Sequence, residues 1–173
     1  MKKYLAAAAV MASLAFSSSA FAVDGCKVIL CLAGNWKGIV ACVPPVREAL
    51  RDMALGHAYP HCDMSQGSPS VPGQPDPTRA DNTPTNEDNC PVMYSRYSPT
   101  TGMWEGCKYA GVISVVVNDQ PWTDVFWDTN GDTSTRYSDA ARAQLGDNID
   151  PTYDRDLLAC GKCQPPPLKG PER

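Results

Sequence analysis

Eight cysteines in a chain of 173 residues, four at positions 26, 31, 42 and 62 and four at 90, 107, 160 and 163, limit what this sequence can fold into more than any other feature. In a reducing cytosol such a set reads as metal or redox chemistry, and in an oxidising compartment an even number reads as paired staples. The amino terminus decides between them. Lys2 and Lys3 precede Leu5–Phe16, a stretch without a charge, and Ala20-Phe21-Ala22 has the small-x-small pattern of a signal-peptidase site. Residues 1–22 are therefore predicted to be a secretory signal peptide cleaved after Ala22, and the chain is expected in the periplasm. The apolar stretch is too short to cross roughly 30 Å of hydrocarbon, and no later segment approaches the ~20 residues needed, so no transmembrane segment is expected. Cys26 follows Val23-Asp24-Gly25 rather than a lipobox, which argues against a lipid anchor. All eight cysteines lie beyond the predicted cleavage site, and four disulfides are the expectation.

Fifteen basic against nineteen acidic side chains give a net charge of −4. Losing Lys2 and Lys3 makes the exported form more acidic still. With no local basic patch legible along the chain, a nucleic-acid partner is not expected. The apolar fraction of 43% suffices for one packed domain.

Two helical patterns open the mature chain. In the second, Val46, Ala49, Leu50, Met53 and Ala54 fall on one face, with Arg47, Glu48, Arg51 and Asp52 elsewhere. Pro44 and Pro45 suit its first turn, and Gly56 suits the residue past its end. The first pattern, Cys26–Leu32, is short and almost wholly apolar; it reads as a buried helix, although Val28-Ile29-Leu30 also suits a strand. Cys26 and Cys31, five apart on a helix, lie more than 7 Å from each other and cannot bridge. If the two helices fold back antiparallel, facing ends pair Cys31 with Cys42, and outer ends pair Cys26 with Cys62.

Residues 65–89, rich in Pro, Ser, Asn and Asp, read as an exposed loop with too little apolar surface to offset ordering. Over 90–163 the pattern turns to strands at Tyr109–Val117, Trp122–Trp127 and Thr133–Tyr137, with Asn130-Gly131 as a hairpin signal between the last two. Ser138 can cap a helix over Asp139–Leu145, and Asp150-Pro151 can open another that runs to Cys160 before Gly161. Tyr153, Leu157 and Cys160 share a face of the latter, which predicts a buried Cys160. The expected fold class is α+β: a disulfide-stapled helical hairpin over 23–64, the loop, and a small antiparallel β-meander with two short helices over 90–163. A Pro-rich tail spans 164–173. Cys90 with Cys107 and Cys160 with Cys163 is the preferred carboxy-terminal pairing, with long-range pairing left open.

Cys160-Gly161-Lys162-Cys163 has thiol-oxidoreductase spacing but lies at a predicted helix C-terminus, where the dipole raises rather than lowers a thiol pKa. His57, His61 and Cys62, beside Asp63, could ligate zinc only with a free thiolate, which bridging removes. Asp128, Asn130, Asp132, Ser134 and Asp139 imitate the spacing of a calcium loop. Thr133 stands where glycine is wanted, however, and a hairpin turn explains the same residues. Neither a nucleophile elbow nor a metalloprotease helix is present, so no catalytic residue, cofactor or metal is expected. Trp104, Tyr109, Trp122, Phe126 and Trp127 read as core or cross-strand partners.

Cys26–Gly34, then Cys42-Val43-Pro44-Pro45 through Met53, then Gly56-His57-Ala58-Tyr59-Pro60-His61-Cys62-Asp63-Met64 occur in one order that resembles the TrbM/KikA/MpfK family of plasmid conjugal-transfer proteins. The likeness covers residues 24–64 and extends more loosely over 90–137, through Cys90-Pro91 and Trp104-Glu105-Gly106-Cys107. It implies a periplasmic accessory of mating-pair formation, without enzymatic activity, whose partners are other proteins of the type IV secretion apparatus. Two alternatives stand beside it: a secreted disulfide-rich binding or inhibitor module, and a periplasmic thiol oxidoreductase acting through Cys160 and Cys163.

Overall fold

The computed structural model describes residues 23–62, 77–164 and Leu168. The predicted signal peptide, residues 63–76 and most of the Pro-rich tail lie outside the described residues. Helix α1 runs Gly25–Leu32, and the Asp24 carboxylate accepts from the Cys26 and Lys27 amides at 3.0 and 3.2 Å as its N-cap. The helical reading of Val28-Ile29-Leu30 thus holds over the strand reading. Helix α2, Val43–Ala54, carries Pro44 and Pro45 in its first turn and buries Val46, Ala49, Leu50 and Met53. It ends in a Schellman motif: Gly56, at φ 87°, donates to the Met53 carbonyl and His57 to that of Asp52. Cys31 bridges Cys42 and Cys26 bridges Cys62, with Cα separations of 5.4 and 4.6 Å, as the antiparallel hairpin requires. Gly25 has no substitute here, because a Cβ would collide with the His61 carbonyl beside the Cys26–Cys62 bridge.

Four antiparallel strands form the main sheet in the order β1-β4-β5-β6: β1 Arg79–Pro84, β4 Gly111–Val117, β5 Gln120–Trp127 and β6 Thr133–Tyr137. A separate ribbon pairs β2 Ser95–Tyr97 with β3 Trp104–Cys107. Strand β1 corrects the reading of 65–89 as loop throughout. It pairs with β4 from Arg79 opposite Val116 to Pro84 opposite Gly111, and its residues are half-buried or exposed, which suits polar side chains at a sheet edge. The β4–β5 turn is the two-residue left-handed kind, with Asn118 and Asp119 at φ 52° and 59°. At the predicted Asn130-Gly131 turn only Gly131 has positive φ. The Asp128 carboxylate holds this turn by accepting from the amides of Asn130 and Asp132, both at 2.9 Å.

Alternation along the strands gives the sheet two buried faces. One presents Ile113, Val115, Val125 and Trp127 to α1 and α2. The other presents Val112 and Phe126 to Cys90, Tyr94, Tyr109 and Tyr153, whose rings lie 4.8–6.2 Å apart by centroid. Helices α3, Asp139–Leu145, and α4, Thr152–Cys160, close the fold. Arg142 of α3 holds Asp154 of α4 through two 2.7 Å hydrogen bonds. Cys160 is exposed, not buried as expected. Tyr153 and Leu157 reach the aromatic cluster, whereas Leu158, Ala159 and Cys160 are exposed.

The hairpin docks on the sheet through backbone carbonyls at the end of α1 and just past it. Thr123 Oγ1 donates to Leu32 O at 2.9 Å, Trp122 Nε1 to Ala33 O at 2.8 Å, and Tyr137 Oη to Gly34 O at 3.4 Å. Three residues further on, Lys37 Nζ donates to Thr133 O and pairs with the Asp150 carboxylate, both at 2.8 Å. Asp150 also accepts from the Thr152 amide and hydroxyl at the head of α4. Burial opposes ionisation of Asp150, yet the Lys37 ammonium and the two Thr152 donors outweigh it and hold the carboxyl below its ordinary pKa.

Gly111 faces Trp127 across the β4–β5 ladder, and the indole passes over the glycine to donate to Asn82 of β1 at 2.9 Å. A Cβ at position 111 would sit 2.7 Å from Nε1. Gly111→Val is expected to lower stability by about 2–3 kcal/mol in chemical denaturation, and Trp127→Phe in the same chain should cost less than it does alone. Additive losses would show that the two residues do not collide. A group with a depressed folded pKa stabilises above its unfolded value, ~3.9 for Asp, and that contribution disappears as pH falls through the folded value. Lys37→Met should therefore fall furthest below wild type near neutral pH, with the gap closing below about pH 4. A gap unchanged from pH 7 to pH 2 would refute the pairing.

Candidate functional site

All eight predicted cysteines are joined: Cys26–Cys62 and Cys31–Cys42 in the hairpin, Cys90–Cys107 between the sheet's aromatic face and the ribbon, and Cys160–Cys163 past α4. None is free. Cys62 therefore offers no thiolate to zinc, and His57 and His61 are exposed. The histidines line an open cleft of about 680 Å³ between residues 57–62 and β1, along with Tyr59, Arg79 and Asp81. Burial, and secondarily the Asp81 charge, pushes the Tyr59 phenol far above its ordinary pKa, so it stays neutral. Among the described residues, no group of three His, Cys, Asp or Glu could hold a metal.

The calcium-like run does not converge either. Asp128 is engaged by its own turn, and Ser134, fully buried, shares a 2.8 Å hydrogen bond with Tyr94 Oη on the aromatic face. Tyr109, Phe126 and Trp127 are core residues, Trp122 clamps Ala33, and Trp104 lies half-buried on the ribbon.

The fold assembles one feature that the linear reading missed. Two recesses, about 360 and 580 Å³, adjoin at Arg47, Gly131 and Asp132 and make a groove between α2 and the 128–132 turn. Lys37 and Lys108 line the first and Arg51 the second. Arg47 and Arg51 were visible as an i, i+4 pair on α2, whereas Lys108 reaches them only through tertiary folding.

No protein-family profile, no curated protein and no solved structure matches this chain. Among the described residues, no helix is long and apolar enough to cross a membrane. The four bridges are those of a chain that meets an oxidising environment.

The Cys-x-x-Cys pair stands apart from the other six cysteines by position. Cys160 is exposed at the C-terminal end of α4, where the dipole disfavours a thiolate, while Cys31, Cys42, Cys62 and Cys90 are buried. Its bridge closes a loop of sequence separation 3, against 36 for Cys26–Cys62. By the loop-entropy relation, removing it should cost about 2 kcal/mol and removing Cys26–Cys62 about 4. Brief treatment with dithiothreitol and iodoacetamide is expected to label Cys160 and Cys163 first, with the near-UV circular dichroism retained. Labelling of Cys31 or Cys42 before them would reverse this ranking.

Proposed function

We propose that the protein is a periplasmic accessory of bacterial conjugation, acting in mating-pair formation by binding other components of the type IV secretion apparatus rather than by catalysis. The observation that carries the reading is the ordered likeness of residues 24–64 to the TrbM/KikA/MpfK family. The residues of that likeness do a common physical job here. Cys26, Cys31, Cys42 and Cys62 close the hairpin, Pro44 and Pro45 start α2, and Gly56 ends it, so the matching positions are the ones that define a single unit. Leu30, Ile39, Val40 and Leu55 stay exposed on and around that unit, surface that a protein partner could cover.

An in-frame deletion of the gene from its plasmid, with complementation in trans, tests the reading. Transfer frequency should drop and be restored by the wild-type gene, but not by a Cys31→Ser/Cys42→Ser form that has lost the hairpin staple. Unchanged transfer in both liquid and surface matings would overturn it.

A further inference from the structure

The groove between α2 and the 128–132 turn gathers cations that have no ion-pair partner among the described residues. Among the described residues, no carboxylate lies within ion-pair distance of Arg47, Arg51 or Lys108; the Lys108 ammonium lies 5.4 and 5.1 Å from the rings of Tyr94 and Tyr109 and also hydrogen-bonds the Tyr109 side chain. Arg47 and Arg51 stand four residues apart on one helix, an arrangement that costs a few tenths of a kcal/mol through like-charge repulsion. In a protein of net charge −4, Arg47, Arg51 and Lys108 outnumber Asp132, the one carboxylate lining the same depression, and form a local field opposite in sign to the whole. The inner wall adds unused donors. Trp36 and Thr133, each 4% exposed, line the same recess, and the indole N–H and the threonine hydroxyl lack hydrogen-bond partners.

We infer that this groove binds an acidic peptide segment of a partner protein, with carboxylates over Arg47, Lys108 and Arg51 and an apolar side chain on the shelf made by Leu50, Ala54 and the exposed Leu55. The recess volumes fit a few side chains each. The composition of the rim argues for peptide over nucleic acid. Asp132 stands where the recesses meet and would oppose a chain that carries a charge at every step, whereas a peptide can place a neutral residue there. Both walls are rigid before any ligand arrives: α2 is fixed at its start by Cys31–Cys42 and at its end by the Schellman motif, and the turn is fixed by Asp128. Such preorganisation lowers the entropic cost of binding. Lys37 takes no part, since its ammonium is committed to Thr133 and Asp150. The inference goes beyond the conjugation reading and does not depend on it.

Fluorescence anisotropy of a labelled Glu-Glu-Leu-Glu-Glu peptide with the purified, oxidised protein tests the site. Saturable binding is expected. It should weaken about fivefold or more in Arg47→Glu/Lys108→Glu and change little in Lys27→Glu, an exposed cation on α1 outside the groove. The double variant should in turn bind Lys-Lys-Leu-Lys-Lys better than wild type does, a gain that misfolding cannot produce. Absence of saturable binding, equal weakening by Lys27→Glu, or displacement of the peptide by a short single-stranded oligonucleotide at lower concentration would each overturn the proposal.

Discussion

Every α-helix ends with carbonyl groups that its own amides cannot reach, and in this protein those of α1 become the joint between two parts of the chain. Thr123, Trp122 and Tyr137 of β5 and β6 donate to the carbonyls of Leu32, Ala33 and Gly34, about ninety to a hundred residues earlier in sequence. An unpaired carbonyl buried at this interface would cost a sizeable fraction of a small domain's stability. The bonds to Leu32 and Ala33 therefore satisfy the helix end, while Gly34 O, which also accepts from the Trp36 amide, joins them in setting the register of the hairpin on the sheet. Lys37 extends the joint to β6 and to the head of α4, so the loop after α1 touches three elements of the other half.

Around that joint the two sheet faces divide the work. The hairpin face is mainly aliphatic, with Trp36 and Trp127 among its side chains, and its hairpin is held by two disulfides. The opposite face is aromatic, with Tyr94, Tyr109, Phe126 and Tyr153 packed at edge, tilted and stacked angles, and Cys90–Cys107 at its border. Tyr94 Oη reaches both Ser134 and Asp156, which gives the buried phenol its partners and ties α4 to the sheet. Arg136 stacks over Tyr153 from the sheet side.

The parts legible in the sequence are those whose signals are local. The α2 periodicity, the Ser138 cap, Gly56 and Gly161 as helix ends, and the valine-rich run of β4 each declare themselves within a dozen residues. The hairpin bridges were legible because helix geometry excluded Cys26–Cys31 and the antiparallel fold-back chose between the two pairings that were left. What was not legible depends on partners distant in the chain. Strand β1 has no apolar alternation of its own and exists because β4 offers a backbone edge and Trp127 offers Asn82 a donor. Cys160 shares a helix face with Tyr153, but where the packing against that face stops is set by the rest of the fold and is not written in the helix. The basic groove draws Lys108 to Arg47 across more than sixty residues, so a scan for charge clusters along the chain passes over it.

The amino-terminal bridges are nested, with Cys31–Cys42 lying inside Cys26–Cys62. Pairing each thiol with its nearest neighbour in sequence would join Cys26 to Cys31 and Cys42 to Cys62 instead. Helix α1 holds the first of those pairs apart, but only once it has formed, and a helix of eight residues is marginal before it docks. The native pairing therefore follows from the folded hairpin and not from the order of the thiols along the chain.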